Sequence, residues 1–334
     1  MANPHTTTSI TTTFSSVCHR WETPLQKTEQ AIEAMLRSKN KEAETIALDF
    51  LHSGGKRLRP FLLLTSAACG EGGNEDDVIT AAAAVEVIHM ASLIHDDIVD
   101  QTPLRRGKPT VAMEKGTMTA LCVGNIMLTK ALSALSSIKN ETVQASAVVT
   151  AEEMCRGEFS QLNAIRSGDI TTEDYLDNIR RKTAKLMTSA CEIGAKLGNA
   201  DEKTVTALRV FGENLGMAFQ ITDDILDYTA ETKEFGKIRG NDLMEGLPTL
   251  PLLCAEKNGE YKKEIRRLRK ESLHSAKAVE ELIRIVEEEE GTKKAKIIAE
   301  NYLEKAIAAL EPIKEKAPVT DLLRLTDFIR ERKK

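Results

Sequence analysis

The stretch Ala81 to Gly107, AAAAVEVIHMASLIHDDIVDQTPLRRG, decides how the rest of the chain is read: an apolar helical run ends in three aspartates, followed across a proline turn by two arginines. Asp96 and Asp100 are four positions apart and Asp97 adjoins Asp96, so on a helix the three carboxylates leave neighbouring faces of its last turns. Carboxylates crowded at the end of an apolar helix repel one another unless positive charge sits between them. Hard divalent cations with oxygen ligands meet that need, and magnesium is the expected one. Taken alone, such an acidic string is ordinarily a solvated helix face. This chain repeats it. Asp223, Asp224 and Asp227 in MAFQITDDILD match the first copy at an offset of 127 (223 minus 96), and the same offset lays Met217 on Met90 and Ala218 on Ala91. Two apolar helices with the same acidic end, facing each other in a bundle, would line one cavity with six carboxylates, several metal ions and a multiply charged phosphate ester.

Working outward, proline is absent from 110 to 247 and from 252 to 311, and β-branched alternation is scarce, which leaves long helices as the regular structure that fits. Helices are expected over 24–52, 60–69, 75–100, 110–137, 141–166, 172–197, 201–229, 247–257, 260–271, 273–290 and 293–311, with a short one from 318. The fold class is therefore all-α, a single large helical bundle over 24–334 behind a disordered lead, 1–23. The Lys- and Glu-rich third from Tyr261, including Glu287 to Glu290, reads as amphipathic helices covering the outside of that bundle.

At 334 residues the chain is long enough to bury a sizeable core, and its net charge of -5 and pI near 5.8 argue against nucleic acid as a partner. Six scattered cysteines without a C-x-x-C pair point to reduced thiols in a cytoplasmic protein. The threonine-rich amino terminus lacks the basic head and apolar core of a secretion signal. No apolar run approaches the roughly 20 residues that cross a bilayer, so no transmembrane segment is expected.

Basic residues cluster locally. In GGKRLRP, Gly54 to Pro60, a glycine turn leads into a helix with Lys56, Arg57 and Arg59 at its start, an arrangement that suits a diphosphate but equally an ordinary basic helix start. Arg105 and Arg106 follow the first aspartates closely enough to turn back on them or on a neighbouring anion. His89 lies two helical turns before Asp96 on nearly the same face, and His95 adjoins it. A lone histidine there is more often a core residue than a ligand. Lys182, Thr183, Gln220 and Lys237 add donors that no pattern singles out.

Taken in order, GGKRLRP, HMASLIHDDIVD, LRRGKPT, RKT and FQITDDILDYT with GKIRGNDLMEG resemble the trans-isoprenyl diphosphate synthases, or polyprenyl synthetases, over nearly the whole chain from about residue 25. The resemblance implies a helical bundle around a deep central cavity, a homodimer, and three magnesium ions per site bridging a diphosphate to both aspartate motifs. It implies that Lys56, Arg59, His89 and Arg106 hold isopentenyl diphosphate. The allylic diphosphate would be held by Arg105, Lys182, Thr183, Gln220 and Lys237, and by metal on Asp96, Asp100 and Asp223. Ionisation of the allylic substrate, attack by the isopentenyl double bond and loss of a proton then need no protein nucleophile.

There are two departures. Many members have EGK where this chain has Glu245-Gly246-Leu247, which removes an expected cation near the second motif, and many have Gly-Asp where it has Gly124-Asn125. Product length is read from the first motif's helix. Ala91 and Ser92, one turn before Asp96, are small and let a growing tail pass, while Val87 and Ile88 one turn further form a partial floor. A product longer than twenty carbons, twenty-five to thirty-five, is expected. The alternatives are a geranylgeranyl diphosphate synthase, a class I terpene cyclase, which the 13 aromatic residues (one Trp, four Tyr, eight Phe) make the lesser reading, and one subunit of a heteromeric synthase.

Overall fold

Capping residues and glycines set where the helices break. The structure, a computed structural model, describes residues 19–167, 170–229, 239–257 and 261–332. In chain order the first half contains α1 (Glu22–Leu36), α2 (Lys41–His52), α3 (Leu58–Ala67), α4 (Glu75–Val99), α5 (Val111–Lys115), α6 (Thr117–Ser137) and α7 (Glu141–Ser167). The second half contains α8 (Thr172–Ile179), α9 (Lys185–Leu197), α10 (Glu202–Thr229), α11 (Asn241–Met244), α12 (Leu250–Glu256), α13 (Lys262–Ser272), α14 (Ala276–Glu288), α15 (Gly291–Leu310) and α16 (Val319–Arg330).

Three expected helices are divided. The one over 24–52 stops at Leu36, where Arg37 turns extended (ψ 133°), and restarts as α2 behind Asn40, whose side chain accepts the Ala43 N–H at 3.1 Å. The one over 110–137 parts at Gly116, which takes a φ of 87° that other residues avoid. The one over 172–197 contains a single wide π-helical turn, Arg180–Ala184, between α8 and α9. The expected lead also ends sooner than residue 23. Trp21 is buried, donates its indole N–H to Asp321 at 3.0 Å and meets the Phe61 ring edge-on, so the packed structure already includes 19–23. The rest of that lead lies outside the described residues.

The centre of the core is α4, whose Ala81 to Ala84, Val85 and Val87 are all buried. It packs against α1, α3, α6 and α9, while α10 packs against α9 and along α15. At its crossing with α6, a Cβ on Gly124 would stand 2.3 Å from the His95 ring, so only glycine lets the two helices approach this closely. Outside, α13 and α14 lay Ile265, Leu268, Leu282 and Ile285 against Tyr228, as their amphipathic pattern requires.

The expectation that no apolar stretch is long enough to span a bilayer needs correction. By length and composition α4 and α6 both qualify. In α4 two thirds of the apolar window is buried inside the molecule, which is what a core helix does; in α6 only one third is. Cys69, Cys191 and Cys254 are buried free thiols, but Cys122 and Cys155 are exposed rather than in the core.

Candidate active site

Because α9 packs against both α4 and α10, the acidic ends of those two helices face one cavity, of about 470 Å³. Asp96 and Asp100 reach its wall from α4, and Asp223 and Asp224 from α10. The other two aspartates of the repeat are used elsewhere. Asp97 is buried and held by Arg105, whose Nε lies 2.8 and 3.0 Å from its two oxygens. Asp227 accepts the backbone N–H groups of Asn241 at 3.2 Å and Asp242 at 3.1 Å, and so starts α11. Six facing carboxylates become four from the motifs. Three come from residues the sequence did not single out, namely Glu158, Asp242 and Glu245.

Seven carboxylates (four plus three) thus share the wall with the cationic side chains of Arg59, Arg105 and Lys182. The electrostatics show the imbalance. Burial pushes the Asp100 carboxyl up to about 7, against the pull of Lys182 and with help from Glu245. Burial likewise pushes Asp224 up to about 7, although Tyr175 and Gln220 donate to it at 2.5 and 2.8 Å. Asp242 is raised well above the carboxylate range by burial and by Asp227 and Asp224. One oxygen of Glu158, Oε1, is buried with no hydrogen-bond partner. An all-oxygen, under-neutralised donor set of this kind fits hard divalent cations. Among the described residues no three candidate ligands converge on one point.

Lys182 and Thr183 reach the cavity from the π-helical turn. That turn can lie against α10 because Gly216 has no side chain; a Cβ there would be 2.6 Å from the Ala184 Cα. Lys182 sits 2.7 Å from Glu158 and 3.6 Å from Asp96. Burial works against its charge, but the two carboxylates outweigh burial and raise its pKa, so it stays an ammonium. Thr183 donates to Gln220 Oε1 at 2.8 Å, and Gln220 in turn donates to Asp224. The π turn and the second motif are therefore one hydrogen-bonded unit.

The cations at the α3 start divide their work. Arg57 adopts a left-handed φ of 50° and forks onto both oxygens of Glu29 at 2.7 and 2.8 Å, which spends it on structure. Arg59 is buried and faces the cavity; burial lowers its pKa to about 10, which still leaves it charged at neutral pH. Lys56 lies over the Phe328 ring of α16 at 5.2 Å. Arg105 and Arg106 belong to a small antiparallel ribbon, β1 (Leu104–Arg105) and β2 (Lys108–Pro109), that an all-helical reading omits. Its two-residue turn, Arg106–Gly107, takes φ values of 54° and 76°. The turn aims Arg106 at Ser53 and the Gly54 carbonyl, tying the ribbon to the glycine loop. His89 lines the cavity beside these cations, and burial, then Arg59, Arg105 and Arg106, hold its pKa well below the usual value, so the ring is neutral. Lys237 lies outside the described residues.

The wall also carries small or apolar side chains, with Ile88, Ala91 and Ser92 on α4, Leu128 on α6, and Ala151 and Met154 on α7. Val87 is fully buried in the core cluster and is not on this wall, although its i, i+4 spacing from Ala91 puts the two on one face of α4. Of the two residues expected to form a floor, Ile88 is on the wall, together with Leu128 of α6 and Met154 of α7. Leu247 also reaches the wall, near the second motif.

A family model described as polyprenyl synthetase matches residues 40–286. Over 305 residues the chain is 34% identical to heptaprenyl diphosphate synthase component 2 of Bacillus subtilis (strain 168), which covers 91% of this chain and 87% of that protein. Over 282 residues it is 34% identical to the geranylgeranyl diphosphate synthase of Methanosarcina mazei, covering 83% and 86% of the two. Among solved structures it is similar to the polyprenyl synthase from Caulobacter crescentus CB15 complexed with calcium and isoprenyl diphosphate. The TM-score is 0.89 at 29% identity, over 99% of this chain and 100% of that one.

Proposed function

The chain belongs to the polyprenyl synthetase family, and on that premise we propose that it joins isopentenyl diphosphate to an allylic diphosphate, making an all-trans polyprenyl diphosphate longer than twenty carbons. The observation that carries this reading is one cavity lined both by carboxylates of the two aspartate motifs and by apolar side chains such as Ile88, Leu128 and Met154. Such a cavity holds a diphosphate and a hydrocarbon tail together.

Asp96, Asp100 and Asp223 are the carboxylates that would hold the metal, three magnesium ions per site on this reading. Bound there, divalent cations neutralise the charge of a leaving diphosphate. Lys182, kept protonated by Asp96 and Glu158, donates to the same diphosphate as its C–O bond breaks and the electron pair leaves with it. Arg59, with Lys56 and Arg106, holds the second diphosphate so that its double bond attacks the allylic carbocation. The neutral His89 donates a hydrogen bond to that anion without adding charge. The proton then lost from the new chain passes to the released diphosphate. The apolar wall excludes water that would quench the cation. Among the described residues, Tyr175 and Phe219 are the phenol and phenyl rings on the cavity, both beside the second motif, and so few aromatic faces favour chain elongation over cyclisation.

The exposed apolar residues Met118 and Leu121 on α6, and Val148 and Phe159 on α7, are what a homodimer would cover. The five described cysteines are all free thiols, in keeping with a cytoplasmic setting. A second reading, one subunit of a heteromeric synthase, is supported by the Bacillus subtilis relative's being named component 2. One experiment tests both. The purified protein is given isopentenyl diphosphate, magnesium and allylic primers of several lengths, and product mass is determined. Products beyond twenty carbons are expected; a twenty-carbon product would make it a geranylgeranyl diphosphate synthase, and none with any primer would leave the heteromeric reading standing.

A further inference from the structure

The missing cation at Leu247 has a counterpart far away in sequence. Two residues past α16, Arg332 places its Nη2 2.7 Å from Asp223 Oδ1, an ion pair across 109 positions. Its guanidinium also lies over the Phe219 ring, 4.9 Å from the centroid, one turn before Asp223 on α10. The Arg332 side chain is only 13% exposed, whereas that of Asp223 is 45% exposed. The arginine is thus seated, and the aspartate, half exposed, stays on the cavity wall. Phe328 of the same helix holds Lys56, and burial followed by the charge of Arg332 lowers the Lys56 pKa, so the two cations stand close together.

We propose that Arg332 supplies the positive charge that Leu247 does not, and that it is a binding residue for the allylic diphosphate at the second aspartate motif. This rests on the function proposed above. Leu247 and Asp223 belong to the same cavity wall, so a cation on Asp223 and a cation at position 247 would serve the same anion. Arginine suits the task. Its planar fork carries five N–H donors, enough to keep Asp223 and take up a diphosphate oxygen together, and stacking on Phe219 orders it beforehand. A lysine reaching from 247 would be a single flexible point charge.

The test is calorimetric binding, with magnesium present, of a thiolo analogue of an allylic diphosphate that resists ionisation, beside a separate titration with isopentenyl diphosphate. Arg332→Gln is expected to weaken the analogue about tenfold, the loss of one charge-assisted contact, and to leave isopentenyl diphosphate within about twofold. Arg332→Lys should retain part of the affinity. Adding Leu247→Lys to Arg332→Gln should restore most of it, a rescue that loss of local packing would not allow. Unchanged affinity in Arg332→Gln, failure of the rescue, or a loss confined to isopentenyl diphosphate would each overturn the proposal while the parent protein still bound the analogue. If the parent protein bound no analogue, the function on which the proposal rests would fall with it. Circular dichroism of each variant checks that the helices are intact.

Discussion

At the scale of single residues, the two aspartate motifs share a division of labour. Asp97 and Asp224, the second residue of each, accept hydrogen bonds from within the protein, from Arg105 in one case and from Tyr175 with Gln220 in the other. Asp96 and Asp223, the first of each, lie on the cavity wall with a cation beside each, Lys182 at 3.6 Å and Arg332 at 2.7 Å. On the function proposed above, their carboxylates serve chemistry more than folding. Asp96→Ala and Asp223→Ala are each expected to lower kcat by about a thousandfold or more, the scale of losing preorganised charge stabilisation, with unchanged helicity by circular dichroism. Near-normal turnover in either variant, or full activity in excess chelator, would remove the metal from the mechanism. Arg59 gives a different signature. It is a buried cation on the cavity, assigned above to the second diphosphate, so Arg59→Ala should raise the KM for isopentenyl diphosphate by about tenfold to a hundredfold while the KM for the allylic primer moves little. Equal effects on both substrates would show that the two anion sites are not separate.

At the scale of elements, the break between α1 and α2 turns on Glu44. Its carboxylate accepts the Ser38 N–H at 2.7 Å and pairs with Lys41 at 3.0 Å and Arg37 at 3.1 Å. The Ser38 N–H first, then Lys41 and Arg37, lower its pKa from 4.5 to about 2. A carboxylate depressed on folding adds stability that is complete above the unfolded value and is lost as pH falls through the folded one. The difference in Tm between the parent protein and Glu44→Gln should therefore be full at pH 7, shrink below about pH 4.5 and close near pH 2. A gap that does not change with pH would mean that the clamp works through shape and not charge. This break also shows where sequence stops being legible. The runs that became α4 and α10 could be read because their apolar pattern and acidic ends are local. Nothing local separates IRRKTAKL from an ordinary helix; its wide turn exists because Gly216 on another helix lets it in. Glu158 reads as one more acid on a polar face, and Asp242 comes to the site only because Asp227 caps the short helix that carries it. Arg332, in a run of charged residues, reads as solvated until α16 is docked.

At the scale of the whole molecule, product length is a property of three helices together. On the function proposed above, the tail of the growing product would leave the carboxylates along α4, past Ser92 and Ala91, and meet Ile88, Leu128 of α6 and Met154 of α7, all of which line the cavity. Ala91 is 1% exposed and on the cavity wall, so an aromatic ring there has nowhere to go except into the path of the tail. From Asp96 to Ile88 the helix rises about 12 Å, at 1.5 Å per residue, and that span bounds the tail a rigid floor would admit. Longer products need the floor to yield, and Met154 is suited to that, because an unbranched thioether changes rotamer at little cost. Two substitutions follow from the same geometry with opposite signs. Ala91→Phe should shift the main product to fifteen or twenty carbons while condensation continues, since the diphosphate end is untouched. Met154→Ala should lengthen the product by removing side-chain bulk at the floor. Product mass after exhaustive elongation reads both. If Ala91→Phe leaves the mass unchanged, the tail does not run along α4; if only Met154→Ala does so, the floor lies elsewhere on α6 or α7.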